Sequence, residues 1–258
     1  MLKHRLIAVL ILRHGQVVQS IKFRHTNVIH AEAMHAVEAF SKWSVDEIVM
    51  LNVTKEPDSQ ARFAEVVAEI SEHCFVPLAA GGWVTNMDYA QSLLRNGADK
   101  LVVNSILHNQ PELVQQLSAK YGRQCIVGSM DVKRNDEGLA TVRVDRGTVD
   151  TGKDAVSWTK HAETLGVGEL FVNSIDHDGN RKGYDLETIE QVSGATQMPV
   201  IAFGGVFRWD HLVAGLNAGA DACAAANILH YTEQSTRRAK AHLARSGIAV
   251  RQEGRWLV

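Results

Sequence analysis

Short, nearly continuous apolar runs alternate along this chain with stretches whose apolar residues return every three or four positions. The runs RLIAVLIL (5–12), EIVMLNV (47–53), VPLAA (76–80), KLVVN (100–104), QCIVGSMD (124–131), ELFVNS (169–174), PVIAF (199–203) and DACAAA (221–226) read as strands buried on both faces. Between them, Phe63, Val66, Val67 and Ile70 stand at i, i+3, i+4 and i+7, which predicts a helix over 61–73. A second helix is predicted over 109–122, with Asn109 as N-cap, Pro111 in the first turn and Gly122 at the end. A third runs from Thr232 to Gly247. Such alternation predicts parallel βα units, closed into a (βα)8 TIM barrel or opened into a doubly wound sheet.

An internal repeat favours the barrel. VDEIVMLNVT (45–54) aligns with VGELFVNSID (167–176), and residues 76–107 align with 198–229 without a gap, matching Pro77 to Pro199 and Gly97 to Gly219. Two fused half-barrels, roughly 1–122 and 123–250, explain the repeat, and an open sheet does not. With only four prolines and no Ser/Gly-rich tract to mark a linker, the chain reads as a single domain over 1–258.

Composition narrows the function classes. The formal net charge of -2 gives no reason to expect nucleic acid or an anionic membrane as partner. The N-terminal apolar run is too short to span a bilayer. Three separated cysteines without a CxxC suit free thiols in a reducing cytoplasm. Twelve histidines include no HExxH and no ligand-spaced cluster, so neither a metal nor another cofactor is expected. His177 reads as a loop residue, and RRAK (237–240) as a solvated basic helix face.

Chemistry in such barrels collects at the C-terminal ends of the strands. Those ends offer Asn52, Gly81-Gly82, Asn104, Asp131, Asp176, Asp178, Gly204-Gly205 and Asn227. The paired glycine turns, each ahead of a helix, suit two anion grips, with Asn104 and Asn227 as further candidate phosphate contacts. They serve equally as plain tight turns. In the repeat, Asp131 aligns with Ile11, so one half carries a carboxylate where the other carries an alkyl group. At the opposite end Arg5, Glu47, Lys100 and Glu169 open four strands. Two cations and two anions should therefore converge on the floor, where a closed alternating ring can neutralise itself.

The repeat, GADK (97–100), MDVK (130–133), DHDGNRKGYD (176–185) and the GGV…NAGAD segment (204–221) resemble the cyclase subunit of imidazole glycerol phosphate synthase, the HisF family, over nearly the whole chain. The resemblance implies a HisH-type glutaminase docked on the N-terminal end and ammonia crossing the barrel. It implies cyclisation of a bisphosphorylated substrate at the other end by two aspartates, on strands 1 and 5. Asp131 matches the second aspartate, and Ile11 stands in place of the first. Asn52 replaces an aspartate, Trp83 the third glycine of a GGG turn, Phe203 a serine and Phe207 a glycine. These aromatics are expected to crowd both phosphate grips. By contrast Arg5, Glu47, Lys100 and Glu169 match the family's ammonia gate, and Asp99 and Gln124 its glutaminase interface.

Three readings follow. The barrel could conduct ammonia from a glutaminase to a third protein, resembling a divergent branch associated with sugar amidotransferases of surface-polysaccharide (lipopolysaccharide, O-antigen) biosynthesis. It could be a working cyclase, a lyase of histidine biosynthesis. Or it could be an inert scaffold that only activates its partner.

Overall fold

The structure, a computed structural model, describes residues 3–56, 58–231 and 233–251, with no side-chain placement for residues 25 and 26. The ends of the expected 1–258 unit and the expected helix start at Thr232 lie outside the described residues. The first half runs β1 (Arg5–Arg13), β2 (Gln16–Ile21), β3 (His25–His30), α1 (Met34–Lys42), β4 (Glu47–Asn52), α2 (Ser59–Ser71), β5 (Leu78–Gly81), α3 (Met87–Arg95), β6 (Lys100–Val103), α4 (Ile106–Asn109) and α5 (Pro111–Tyr121). The second half repeats that order as β7 (Ile126–Arg134), β8 (Ala140–Val144), β9 (Val149–Asp154), α6 (Ala155–Thr164), β10 (Glu169–Ser174), α7 (Leu186–Ala195), β11 (Val200–Phe203), α8 (Trp209–Asn217), β12 (Ala222–Ala225), α9 (Asn227–His230) and α10 (Ser235–Arg245).

Parallel neighbours run β10-β11-β12-β1-β4-β5-β6-β7, and β7 pairs back to β10, which closes an eight-stranded (βα)8 barrel. All eight expected strands form, with no end shifted by more than three residues. What the periodicity did not predict is the antiparallel hairpin that follows the first strand of each half, β2–β3 and β8–β9. Their strands are short and partly exposed, so they lack the long apolar runs that betray the barrel strands. The helix expected at 61–73 spans Ser59–Ser71 and buries Phe63, Val67 and Ile70. The one expected at 109–122 is α5, which Pro111 opens and Gly122 ends; Asn109 closes α4 instead, and Gln110 occupies the cap position. The third is α10, whose helical turns run from Ser235 to Arg245.

Alternation along β1 explains both halves of the core. Leu6, Ala8, Leu10 and Leu12 pack outward under the helices. Ile7, Val9 and Ile11 point into the lumen, where they meet Val49, Val102, Val127, Phe171, Ile201 and Phe203. A full Leu or Ile burial contributes about 1.5–3 kcal/mol, so both layers stabilise the barrel strongly.

Beneath the barrel, Asp46, Asp99 and Asp221 each accept the backbone N–H at the start of a neighbouring strand, from Leu6 (2.8 Å), Leu78 (2.8 Å) and Val200 (2.9 Å). Those amides would otherwise lack a partner at the strand ends. Lys240 corrects the reading of 237–240 as a solvated face. It is buried, and its Nζ lies 2.6 Å from Asp46 Oδ1. The α10 face that carries it packs against the barrel floor, which a short basic run cannot reveal.

Candidate functional site

The floor of the barrel is a closed ring of four charges. Arg5 donates through Nη1 to Glu47 Oε2 at 2.7 Å and through Nη2 to Glu169 Oε1. Lys100 Nζ donates to Glu47 Oε1 at 2.9 Å and to Glu169 Oε2 at 3.0 Å. Each carboxylate thus receives both cations. Glu47 is 2% exposed and Glu169 6%, a burial that unpaired carboxylates would not tolerate. Arg5 and Lys100 keep 28% and 20% of their side chains accessible, so the ring seals the apolar lumen while staying in reach of solvent or a docked surface. Asp99 and Gln124 are exposed at the same end. One Asp99 oxygen already caps Leu78, so its carboxylate has a structural task beside any contact with a partner.

The other end opens into two cavities. The larger, about 520 Å³, is lined by Ile11, Trp83, Asn104, Asp131, Asn173 and Asp178 among others. The second, about 460 Å³, lies over Gly204, Gly205 and Asn227. The aromatics leave this end open. Phe203 turns into the lumen and stacks on Phe171, ring centroids 4.8 Å apart. Trp83 lies beneath Lys55 and Arg146, at 4.9 and 5.6 Å from its ring, and Phe207 lies beneath Arg181 at 4.5 Å.

The first glycine grip is altered at its backbone. Gly82 is left-handed (φ 106°), and a Cβ there would sit 2.1 Å from the Asn52 carbonyl, so only glycine fits. The next residue is also left-handed, but it is Trp83 (φ 56°), a conformation that disfavours a bulky side chain. At the helix beyond, Asn86 caps α3 by accepting from Tyr89 N at 2.8 Å, which takes up one of its first-turn amides. In the second grip Gly204 and Gly205 are left-handed (φ 99° and 81°) and Asn227 opens α9. Asn104, expected beside a phosphate, instead donates to Asp131 Oδ2 at 3.0 Å and to the Ser129 carbonyl at 3.0 Å.

The acidic and amide residues of this end divide between architecture and chemistry. Asp178 accepts from Ser20 Oγ at 2.7 Å and Phe23 N at 3.2 Å, which ties the β2–β3 hairpin over the opening. Asp176 accepts from Arg134 N at 2.9 Å. Asn52 bonds within its own loop, accepting from Thr54 N and donating to the Ser59 carbonyl. His177 faces the Gly183 carbonyl at 2.8 Å, consistent with a loop role. Asp131 differs from these. It is 8% exposed and held by two amides, Asn104 and Asn173 (3.3 Å), and burial pushes its carboxyl up to about 7 against the pull of those donors. Asn173 escaped the sequence reading. Its signal was available in the repeat, where it aligns with Leu51, a polar residue facing a leucine just as Asp131 faces Ile11.

Asp131 makes stability pH-dependent with a definite sign. The folded carboxyl holds its proton more tightly than an ordinary aspartate, so stability falls as pH rises from about 4 to about 7 and levels off above. Replacing Asp131 with Asn should remove that slope. Urea unfolding should show the variant gaining on the wild type between pH 4.5 and pH 8, by an amount of order a few kcal/mol. Parallel pH profiles would place the Asp131 carboxyl in its ordinary range.

The family described as Histidine biosynthesis protein matches residues 5–235, across all eight barrel strands and the ring. The chain belongs to this family. It is 38% identical over 253 residues to the imidazole glycerol phosphate synthase subunit HisF of Mycobacteroides abscessus, covering 96% of this chain and 98% of that one. Within the family frame, the strand-1 lumen position is Ile11, 8% exposed and packed among Val9, Val18 and Leu51. No proton can leave or reach that side chain. Among the described residues no three of His, Cys, Asp and Glu come together as a metal site, and no helix is long and apolar enough to cross a membrane.

Proposed function

We propose that this HisF-like barrel docks a HisH-type glutaminase on its charged end and conducts ammonia through the lumen without cyclising a substrate. One contrast carries the reading: the four-charge ring is complete, while Ile11 leaves Asp131 without an acid–base partner at the other end. General acid–base pairs contribute about 10²–10⁴ in rate, and an isoleucine forfeits that share. Asp99 and Gln124, exposed beside the ring, are the proposed contacts for the glutaminase. The ammonia is handed to a third protein, in our reading a sugar amidotransferase of surface-polysaccharide assembly, since the altered mouth resembles the branch that serves such enzymes. Gly204, Gly205 and Asn227 retain the shape of an anion grip; Gly81 and Gly82 retain it less well, beside a left-handed Trp83.

A working cyclase is the second reading, and the 38% identity along nearly the whole chain to a synthase subunit favours it. The two open cavities also leave room for a substrate. Wild-type turnover separates the two, and restoring the acid asks how far the mouth has diverged. With the grip at Trp83 and the serine position at Phe203 also altered, Ile11→Asp is expected to yield less than a tenth of ordinary cyclase turnover. Recovery to within threefold of an ordinary cyclase would show that one missing carboxylate was the whole defect.

A further inference from the structure

The two cavities of the mouth are neighbours with a wall between them. Their linings share two residues, Phe203 and Asp178. Phe203 ends β11, beside Asn173 of β10 in the ladder, and its ring stands in the lumen against Phe171. Asp178 holds the first hairpin. Its carboxylate accepts from Ser20 Oγ and Phe23 N, and its carbonyl accepts from Lys22 N at 3.2 Å. Successive residues of β2 fall to different cavities, Gln19 to the second and Ser20 to the first, as the alternation of a strand dictates. Val18, 4% exposed, joins the apolar cluster that holds Ile11 and Phe203. The strand β2 therefore runs along the boundary, fixed to the lumen cluster through Val18 and to Asp178 through Ser20. Each compartment keeps cations of its own: Lys55 and Arg146 line the first, Arg181 and Arg208 the second.

We propose that Phe203 is a specificity-determining residue: with Asp178 and β2 it partitions the mouth, so that each compartment takes a ligand with a single phosphate. A ligand long enough to bridge both compartments is refused its second contact. This deepens the non-cyclising reading by naming what the mouth excludes, and it rests on that reading. A bridging ligand must pass its linking chain between β2 and Phe203. Room for the chain comes only if Phe203 leaves its stack on Phe171 or the hairpin gives up its bonds to Asp178. Either change removes packing or hydrogen bonds that the second phosphate would have to replace. A ligand confined to one side meets neither cost. Two phosphates on one bridging molecule normally reinforce each other, because binding the first holds the second near its site. The partition cancels that gain. Phe203 fills the foot of the wall because it is bulky and buried, whereas the serine of the resembling family would leave the foot open.

The test is calorimetric, on the purified chain in buffer free of ammonia, where no cyclisation can occur. Two probes are titrated: ribose 5-phosphate, which carries one phosphate, and the bisphosphorylated substrate of the family. In the wild type the bisphosphate should bind less than about fivefold more tightly than ribose 5-phosphate, since only one of its phosphates is held at a time. Phe203→Val keeps a β-branched residue in the strand, adds no hydroxyl and lowers the wall. In that variant the ratio of the two dissociation constants should rise above the same limit, and Phe203→Leu takes its place if the valine variant does not fold. A wild-type ratio above that limit, a folded variant whose ratio stays below it, or no measurable binding of ribose 5-phosphate to the wild type would each overturn the partition. Turnover plays no part in these titrations, so the non-cyclising reading stands or falls separately, on the rate of product formation.

Discussion

Purified barrel, given the bisphosphorylated substrate of the family and excess ammonium at mildly alkaline pH, is expected to form imidazole glycerol phosphate at least about 10²-fold more slowly than an ordinary cyclase. Free ammonia bypasses any glutaminase, so this assay interrogates the mouth alone. Two features act together there. Ile11 removes one of two proton-transfer groups and fills its position with a buried alkyl side chain. The first glycine grip is also displaced by Trp83, which takes a left-handed backbone and holds its ring against Lys55 and Arg146. A bound substrate would have to find phosphate contacts elsewhere on that rim. Product accumulation at an ordinary rate would favour the cyclase reading.

The second large effect is expected at the floor. Lys100→Leu removes one of two cations that both carboxylates share. Glu47 and Glu169 would each keep Arg5, so one guanidinium would then face two buried anions. The loss in stability should be about 2 kcal/mol, less than for a fully buried pair because Lys100 is 20% exposed. Its effect on transfer should be larger than that figure suggests. A ring that can part transiently passes neutral ammonia and holds back ions, whereas a ring with a missing post admits water. In a folded, glutaminase-bound Lys100→Leu complex, glutamate released should exceed nitrogen delivered to the acceptor by severalfold, while the wild type stays near one-to-one. Unchanged coupling would reduce the ring to a structural plug.

The parts of this molecule legible from sequence were those with a strong periodic or repeated signal. Continuous apolar runs gave all eight barrel strands, and the gapless match of 76–107 with 198–229 corresponds to identical element orders in the two halves. The ring was legible because its four residues each open a strand, and a parallel barrel brings strand starts together. The hairpins were not, since β9 is mostly exposed and carries little apolar periodicity. Side-chain direction was also hidden. Phe203 and Trp83 were expected to crowd the grips by bulk; one ring stacks inside the lumen and the other lies under two cations. Asn104 was assigned to phosphate from its place at a strand end, and only the fold shows it bonded to Asp131. Lys240 needed the packing of α10 against the loop that carries Asp46.

Channelling itself is open to an isotope measurement in the assembled system of barrel, glutaminase and acceptor enzyme. Glutamine carrying a labelled amide nitrogen is supplied together with excess unlabelled ammonium in the buffer. An amine free in neutral water is mostly protonated and mixes with the bulk pool, whereas ammonia confined to the lumen does neither. If the barrel conducts ammonia, the acceptor product should carry nearly undiluted label, and Lys100→Leu should dilute it toward the buffer ratio. Product from the wild-type assembly carrying the buffer's isotope ratio would contradict passage through this barrel.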